Sequence, residues 1–436
     1  MRFVRSAVSE QHSRVLFATG GGLGFFKEID VGGSKEVTHE GGRRGVFAAF
    51  RETLLAFTFD IGGLVAGFLV AVQLGIFQLS PWAIAVYPAI LGAKGVLQGL
   101  LTRRLGTALH LGTVYPRFLD NTKSFYKLLS AIIVTTLVVS FVMSLLSLVF
   151  GVLFWGVTPG DFLGIVLVVV ASMSLGLVLS IVTVQVGFVT FKRGLDPDII
   201  VYPIMSTVAD IFVTVCFVFV LDIFFLVNVI GTYVVGAIIA SHLLLALFVL
   251  SKYAGEEPFR RNLKESIPTL LLVSLIANVT GTVLKNISAL IDIRKEVYTA
   301  YPALGDTVGD VGSIVGFTAT TRLALGLLRP SLSSIVHHAK TIVSTWGASV
   351  VVFVVIALLS PIINGIFSFP AFINLLTVLL LANVLAVFAT VLLSYGLSIV
   401  AFQKSLDPDN VVIPLQSTLA DTLVTVALLI ALIIVR

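Results

Sequence analysis

From residue 51 onward, long apolar stretches alternate with short polar connections. The stretches fall at roughly 51–73, 82–111, 126–156, 161–190, 199–221, 229–251, 266–290, 298–328, 338–366, 370–401 and 411–435. Each approaches or exceeds the roughly 20 residues that a helix needs to cross a hydrocarbon core about 30 Å thick. Helices are the expected element, because a spanning backbone must satisfy its own hydrogen bonds. The pattern predicts an all-α polytopic membrane protein with about eleven spans.

The same pattern repeats. "LDPDIIVYPIMSTVAD" at 195–210 returns as "LDPDNVVIPLQSTLAD" at 406–421, with ten of sixteen positions identical. "RETL" at 51 pairs with "KESI" at 264, "YPAILGAKG" at 87 with "YPALGDTVG" at 301, and "TRRLGTAL" at 102 with "TRLALGLL" at 321. These matches divide the chain into a polar N-terminal segment (1–50), a first five-helix repeat (51–225), a linking helix (226–255) and a second five-helix repeat (256–436). Five spans alone would invert the second repeat. The linking span restores its direction, so the repeats are expected to be parallel, with one pathway between them.

Composition fits this picture. Of the 436 residues 57% are hydrophobic and 12% charged, against about 25% charged in soluble domains, and mean hydropathy is +1.07. The net charge of +5 reflects lysines and arginines in alternate loops. Arg43, Arg44 and Arg51 precede the first span; Arg103, Arg104, Arg117, Lys123 and Lys127 follow the second; Lys192 and Arg193 follow the fourth; Lys252, Arg260, Arg261 and Lys264 follow the sixth. The distribution predicts a cytoplasmic N-terminus and an outside C-terminus in the cell membrane, with Lys285, Arg294 and Lys295 as the exception. The basic excess is too small to call for a nucleic-acid partner. Residues 1–45 lack the basic start and apolar core of a signal peptide and read as a short cytoplasmic tail, the other reading being an over-long gene start. The single cysteine, Cys216, allows no internal disulfide. No P-loop or Cys/His metal cluster is present, and no catalytic set is assigned, so an enzyme is not expected.

The candidate chemistry lies in the repeated motif. Pro203, Ser206, Thr207, Asp210 and Thr214 are spaced to share one helix face, as are Pro414, Ser417, Thr418, Asp421 and Thr425. Asp196, Asp198, Asp407 and Asp409 read as helix caps. Asp210 lies about 12 residues in, a rise of roughly 18 Å, near the middle of the bilayer. An aspartate there costs about 2.5–3.5 kcal/mol and marks an ion path, the other reading being a hydrogen-bonded carboxylate that joins helices. Asp60 and Lys94 read as an ion pair between neighbouring helices. Asp306 and Asp310, in "GDTVGDVGS", read equally as cavity-lining groups or as helix-start caps. Asn278 reads as interhelical glue, and His110, His337 and His338 as solvated. Two central carboxylates with hydroxyls form a hard oxygen environment suited to Mg²⁺, Ca²⁺ or Mn²⁺, and on chemistry alone Na⁺ or H⁺ as well.

Five-span halves carrying Asp-Pro-Asp, a proline, Ser-Thr and an aspartate resemble the membrane domain of MgtE-type magnesium transporters. The tandem form is similar to their solute-carrier relatives, in which one chain holds both halves. "YPAILGAKGVLQGLLTRRLGTALHLG" resembles the family's second-helix signature through Pro88, Gly95, Arg104 and "GTALHLG". The resemblance covers nearly all of 50–436. It implies divalent-cation transport, with Mg²⁺ as cargo, no permanently bound cofactor, and Asp210 and Asp421 as the central ion-binding metal ligands. The chain departs from the family at the second helix, where the usual Gly-Asn is Gly95-Val96 and Gly309-Asp310 and Gln98 replaces a following position. Nor does it contain the N-terminal and CBS gating domains of bacterial MgtE.

The expected function is therefore Mg²⁺-preferring transport through a central pathway, with Ser206, Thr207, Thr214, Ser417, Thr418, Thr425, Asp306 and Asp310 supporting Asp210 and Asp421. The partners are the lipid bilayer and divalent cations, and the working unit is a monomer, because both halves share one chain. The alternatives are a Na⁺- or H⁺-coupled exchanger, the permease subunit of a complex with a separate ATPase, and a non-transporting scaffold, against which the central acids argue.

Overall fold

The apolar runs fold as helices in a computed structural model that describes residues 14–15, 29–30, 41–193, 197–291, 294–404 and 408–435. Arg14–Val15 and Ile29–Asp30 form a two-residue antiparallel pair. The first half comprises α1 (Gly41–Phe57), α2 (Gly63–Val72), the short α3 (Leu74–Phe77), α4 (Ala83–His110), α5 (Lys123–Phe150), α6 (Phe162–Leu175), α7 (Val178–Lys192) and α8 (Pro197–Leu226). After the linking α9 (Asn228–Tyr253) come α10 (Glu257–Ile291), α11 (Lys295–Ala324), α12 (Ala339–Ile363), α13 (Phe369–Gln403) and α14 (Pro408–Ile434). The expected caps Asp196 and Asp407 lie outside the described residues, as do the side chains of Asp198, Asp409, Pro203 and Pro414 and most of the expected N-terminal tail.

Among the described residues, ten helical stretches are long and apolar enough to cross a membrane. The eleventh expected span is α11. It has 30 residues but carries Glu296, Asp306, Asp310 and Arg322, and its polarity reflects what it lines. The first span is broken between α1 and α2 by a 3-10 turn at Asp60–Gly62. The fourth is broken at Gly176–Leu177, whereas its second-half counterpart α13 runs unbroken.

The repeat has a definite spacing. α4 and α11 both end on a glycine with left-handed backbone, Gly112 (φ 67°) and Gly326 (φ 71°), a conformation that glycine adopts without steric cost. The Ala108 carbonyl accepts from the N–H groups of Thr113 and Val114, and the Arg322 carbonyl accepts in the same way from Leu327 and Leu328. The two glycines lie 214 positions apart, the spacing that also relates Tyr87 to Tyr301. The pairing of "TRRLGTAL" with "TRLALGLL" is thus displaced by five residues. A shared Thr-Arg dipeptide had set that alignment, but the helix ends are set by the glycines.

The two halves exchange their first helices. α2 packs on α11 and α10 packs on α4, while α1 meets α12 and α10 meets α5. The crossings depend on glycine. Gly67 lies against the Thr299 carbonyl and Gly281 against the Ala85 carbonyl, so closely that a Cβ would collide with backbone. Both residues of the second contact are related to the first by 214 positions. Ser147 donates to Asn278 Oδ1 at 2.8 Å, which bears out Asn278 as a link between α5 and α10.

α9 flanks the first half against α5, α6 and α8. His242 holds it there, with Nδ1 2.7 Å from Ser174 Oγ and Nε2 3.1 Å from the Ile133 carbonyl. Its outer face exposes Leu244 and Phe248, as a lipid-facing surface does. In the connection to α10, Lys127 Nζ lies 2.8 Å from Glu256 Oε2 and holds that exposed carboxyl below the usual glutamate range. His110 and His337 are exposed as expected, but His338 is fully buried and bonds Thr318 at 2.9 Å. The 3-10 segment Leu332–His338 turns it inward beneath α12.

Candidate cation site

α4, α8, α11 and α14 enclose a cavity of about 100 Å³. On the measure by which about 10–15 Å³ admits one water, it has room for an ion with several waters. Asp210 from α8, Asp306 and Asp310 from α11 and Asp421 from α14 all line it, beside Ser206, Ser417 and Thr418. Asp306 and Asp310 are thus cavity groups in the middle of α11, not caps at its start. Gly92, Gly95 and Gly99 of α4 and Gly305 and Gly309 of α11 also face the cavity. They leave the space that side chains would fill, and Asp421 Oδ1 points toward Gly305.

The repeat holds the two motif aspartates in matching ways. Thr214 donates to the Asp210 carbonyl at 2.6 Å, and Thr425 to the Asp421 carbonyl at 2.6 Å. Tyr87 OH lies 2.8 Å from Thr214 Oγ1, and Tyr301 OH lies 3.0 Å from Thr425 Oγ1. Each tyrosine ties its second-span helix to the fifth-span helix of the same half, one turn beyond the acid. The tyrosines stand in the repeated Tyr-Pro motif, and that repetition is the signal by which the sequence could have marked them.

Thr207, Thr214 and Thr425 do not line the cavity. Thr207 instead donates to the Phe59 carbonyl at 3.0 Å, which also accepts from the Gly62 N–H in the 3-10 turn of the broken first span. These threonines join helices; Ser206, Ser417 and Thr418 face the ion space.

The acids are distributed unevenly. Ser206 Oγ approaches Asp306 Oδ1 at 3.4 Å, and the carboxyls of Asp210 and Asp306 are in hydrogen-bond contact. Two carboxylates so close repel unless a proton or a cation lies between them. At the positions of Asp306 and Asp310 the first half has Gly92 and Val96, by the 214 spacing. So α11 brings two acids and α4 none.

The expected pairing of Asp60 with Lys94 does not form. Asp60 is buried at the break of the first span, against Thr307 and in the field of Asp310, Asp306 and Asp210, and its Oδ2 has no partner. Lys94 points instead toward Gly176. The exchange of first helices explains the mismatch, since it carries Asp60 to α11. No single-chain signal placed Asp60 beside the acid cavity.

No His or Cys lines the cavity. Among the described residues no group of three His, Cys, Asp or Glu side chains is gathered tightly enough to hold a metal directly. Carboxylates spread around a space large enough for water suit a hard cation that keeps part of its hydration shell.

A structural comparison matches the chain to a eukaryotic MATE transporter, AtDTX14, over 89% of this chain and 97% of that one at 14% identity. The TM-score is 0.18, and no fold argument follows from it. No curated protein matches. The model of the MgtE family, "Divalent cation transporter", matches residues 87–221 and 301–431. Each match opens at the tyrosine of a Tyr-Pro pair and closes beyond the motif aspartate, giving one family unit per half. Together they cover more than half of the sequence, and the chain belongs to the MgtE family of divalent cation transporters.

Proposed function

We propose that the chain moves Mg²⁺ in preference to other divalent cations through the cavity between α4, α8, α11 and α14. The observation that carries this reading is the convergence of four carboxylates from three helices on one partly open, partly polar space. Asp210 and Asp421, one from each repeat, are the central ion carboxylates; Asp306 and Asp310 add charge from one side. A divalent ion at about 4 Å from a carboxylate gains about 8 kcal/mol at an effective dielectric near 20. Lost hydration offsets much of this, and an ion that keeps waters between itself and the acids loses less. Mg²⁺ retains its waters most firmly and uses one or two carboxylates, which fits acids too dispersed to chelate directly. Softer metals favour the thiolate or imidazole ligands that the cavity lacks.

In this reading the halves are parallel, the N-terminus is cytoplasmic, the C-terminus is outside, and one chain is a complete working unit. The test is Mg²⁺ flux into liposomes carrying the wild type, Asp210→Asn or Asp421→Asn. Asn keeps the side-chain shape and removes the charge. Each variant is expected to fold and to lose at least tenfold in flux. Folded variants that both transport normally would return the two acids to a structural role.

A further inference from the structure

The mechanism above leaves one buried cation unused. Lys94 is 1% exposed, and its Nζ has no hydrogen-bond partner. A long, flexible amine left alone in the middle of a membrane protein is costly, yet space has been built for it. Gly176, at the break between α6 and α7, lies against the Lys94 Cε, and a Cβ there would come within 3.0 Å of Nζ. Ser172, one turn earlier on α6, also has an unpartnered buried Oγ. The second half has none of this. Val308 stands at the place of Lys94 by the 214 spacing. At the 211 spacing of the repeated motif, Val387 stands for Gly176 and Ala427 for Cys216, and all three are buried and apolar. The lysine, the glycine that admits it and the helix break are features of the first half.

Lys94 stands beside the cavity wall along α4, next to Gly95, which lines the cavity. One turn along α4, Gln98 lines the cavity, donates to Ser180 Oγ at 3.3 Å and accepts from Thr183 at 2.8 Å, both on α7 just beyond the break. The titratable groups facing Lys94 are Cys216 from α8 and, further off, His242 from α9. α6 and α7 present Gly176 and hydroxyls there. Asp210 and Asp421 line the cavity that the neighbouring Gly95 and Gln98 of α4 also face.

We propose that Lys94 is a second, monovalent site of the transporter: its amine carries one proton, which leaves when a divalent cation occupies the acid cavity. The Nζ–H bond breaks, the electron pair stays on nitrogen and the proton passes to a water molecule. The amine is reprotonated once the cavity empties. Like charges beside the same stretch of α4 disfavour joint occupancy, so cation and proton exchange in opposite senses. One proton against one divalent ion leaves one net charge transferred per cycle. This inference rests on the reading of the acid cavity as the cation path.

The test follows Mg²⁺ and protons together, with an Mg²⁺ indicator and a pH dye inside liposomes that hold the full chain. In the wild type an inward Mg²⁺ gradient is expected to drive protons outward, in a ratio near one to one. Lys94→Met fills the same volume without a titratable group. It is expected to keep Mg²⁺ flux and to lose at least tenfold in Mg²⁺-driven proton movement, with flux no longer dependent on pH. Gly176→Ala, which crowds the lysine and leaves the acids untouched, is expected to lower the proton-to-Mg²⁺ ratio, and it keeps the question answerable if Lys94→Met does not fold. Wild-type Mg²⁺ flux without proton movement would overturn this inference and leave the cation path standing. Proton movement at the wild-type ratio in Lys94→Met would do the same. No wild-type Mg²⁺ flux at all would overturn both.

Discussion

Asp306→Asn separates ion binding from helix packing more sharply than any other change in the cavity. Asp306 is in hydrogen-bond contact with Asp210 and lies 3.4 Å from Ser206 Oγ. Asn retains an oxygen for Ser206 and gains an N–H that can donate to Asp210. If Asp306 only joins α11 to α8, the variant should be as stable as the wild type, or more so, because a buried charge has been removed. If Asp306 attracts the ion, the loss is electrostatic. A divalent ion held through one water, about 5 Å away, gains about 7 kcal/mol from a single carboxylate at an effective dielectric near 20. Hydration and the three remaining acids offset most of that. Retention of only a fifth, about 1.4 kcal/mol, still means a tenfold change in affinity. The assay is thermal unfolding in detergent across a Mg²⁺ titration. Ligand at 100 times Kd stabilises by about 2.7 kcal/mol. The variant is expected to melt at the wild-type temperature without Mg²⁺ and to need about tenfold more Mg²⁺ for the same rise. Identical Mg²⁺ titrations for the two proteins would refute the electrostatic role.

Further outcomes test the surrounding structure. Chelation of divalent ions is expected to lower the melting temperature of the wild type, and that shift should be mostly absent from an Asp210→Asn/Asp421→Asn double variant in the same melt. Gly67→Ala drives a Cβ into the Thr299 carbonyl and is expected to destabilise by about 1–3 kcal/mol; Gly236→Ala, in open space on α9, should instead stabilise by roughly 0.5–1 kcal/mol, both read by denaturation in detergent. Tyr301→Phe removes the link to Thr425 and should cost about 0.5–1.5 kcal/mol, with Mg²⁺ flux reduced less than in Asp421→Asn. Glu256, held below the usual glutamate range by Lys127, contributes pairing that is present above that range and lost as pH falls through its folded value. Because the carboxyl is exposed, Lys127→Met should return its titration, followed by carbon NMR, to the ordinary range with no measurable change in melting temperature.

The spans, the repeat and the motif aspartates were legible because each is a local pattern. Hydropathy marks a helix of membrane length, and an acid inside such a stretch stands out wherever the helix ends up. α11 was legible as a span through its match to α4, even though it carries five charged residues, Lys295, Glu296, Asp306, Asp310 and Arg322. What the sequence did not disclose depends on contacts between distant elements. Pairing Asp60 with Lys94 assumed that the first two spans of one half face each other. The reciprocal crossings at Gly67 and Gly281 take the first span away, and glycine contacts leave no hydrophobic signature. The side on which a hydroxyl acts was equally hidden. Ser206 and Thr207 are adjacent, yet one faces the cavity and the other bonds the Phe59 carbonyl at the break in the first span. His338 was misplaced for a related reason: a seven-residue 3-10 segment turns a loop histidine inward, and charge in the neighbouring loop gives no sign of it.

The reciprocal glycine crossings also set an order of events during biosynthesis. Thr299, the partner of Gly67, is made 232 residues later. At about 5–20 residues per second the ribosome needs on the order of 10–50 seconds to reach it. Through that interval α2 stays in the bilayer with its glycine face and the neighbouring Asp60 lacking their eventual neighbour. Asp306 and Asp310 do not yet exist, and Asp421 arrives with α14, after every other described helix. Until α14 is made, the chain holds the α4, α8 and α11 walls of the acid cavity but lacks Asp421. The acid cavity therefore takes its final form only as α14 docks.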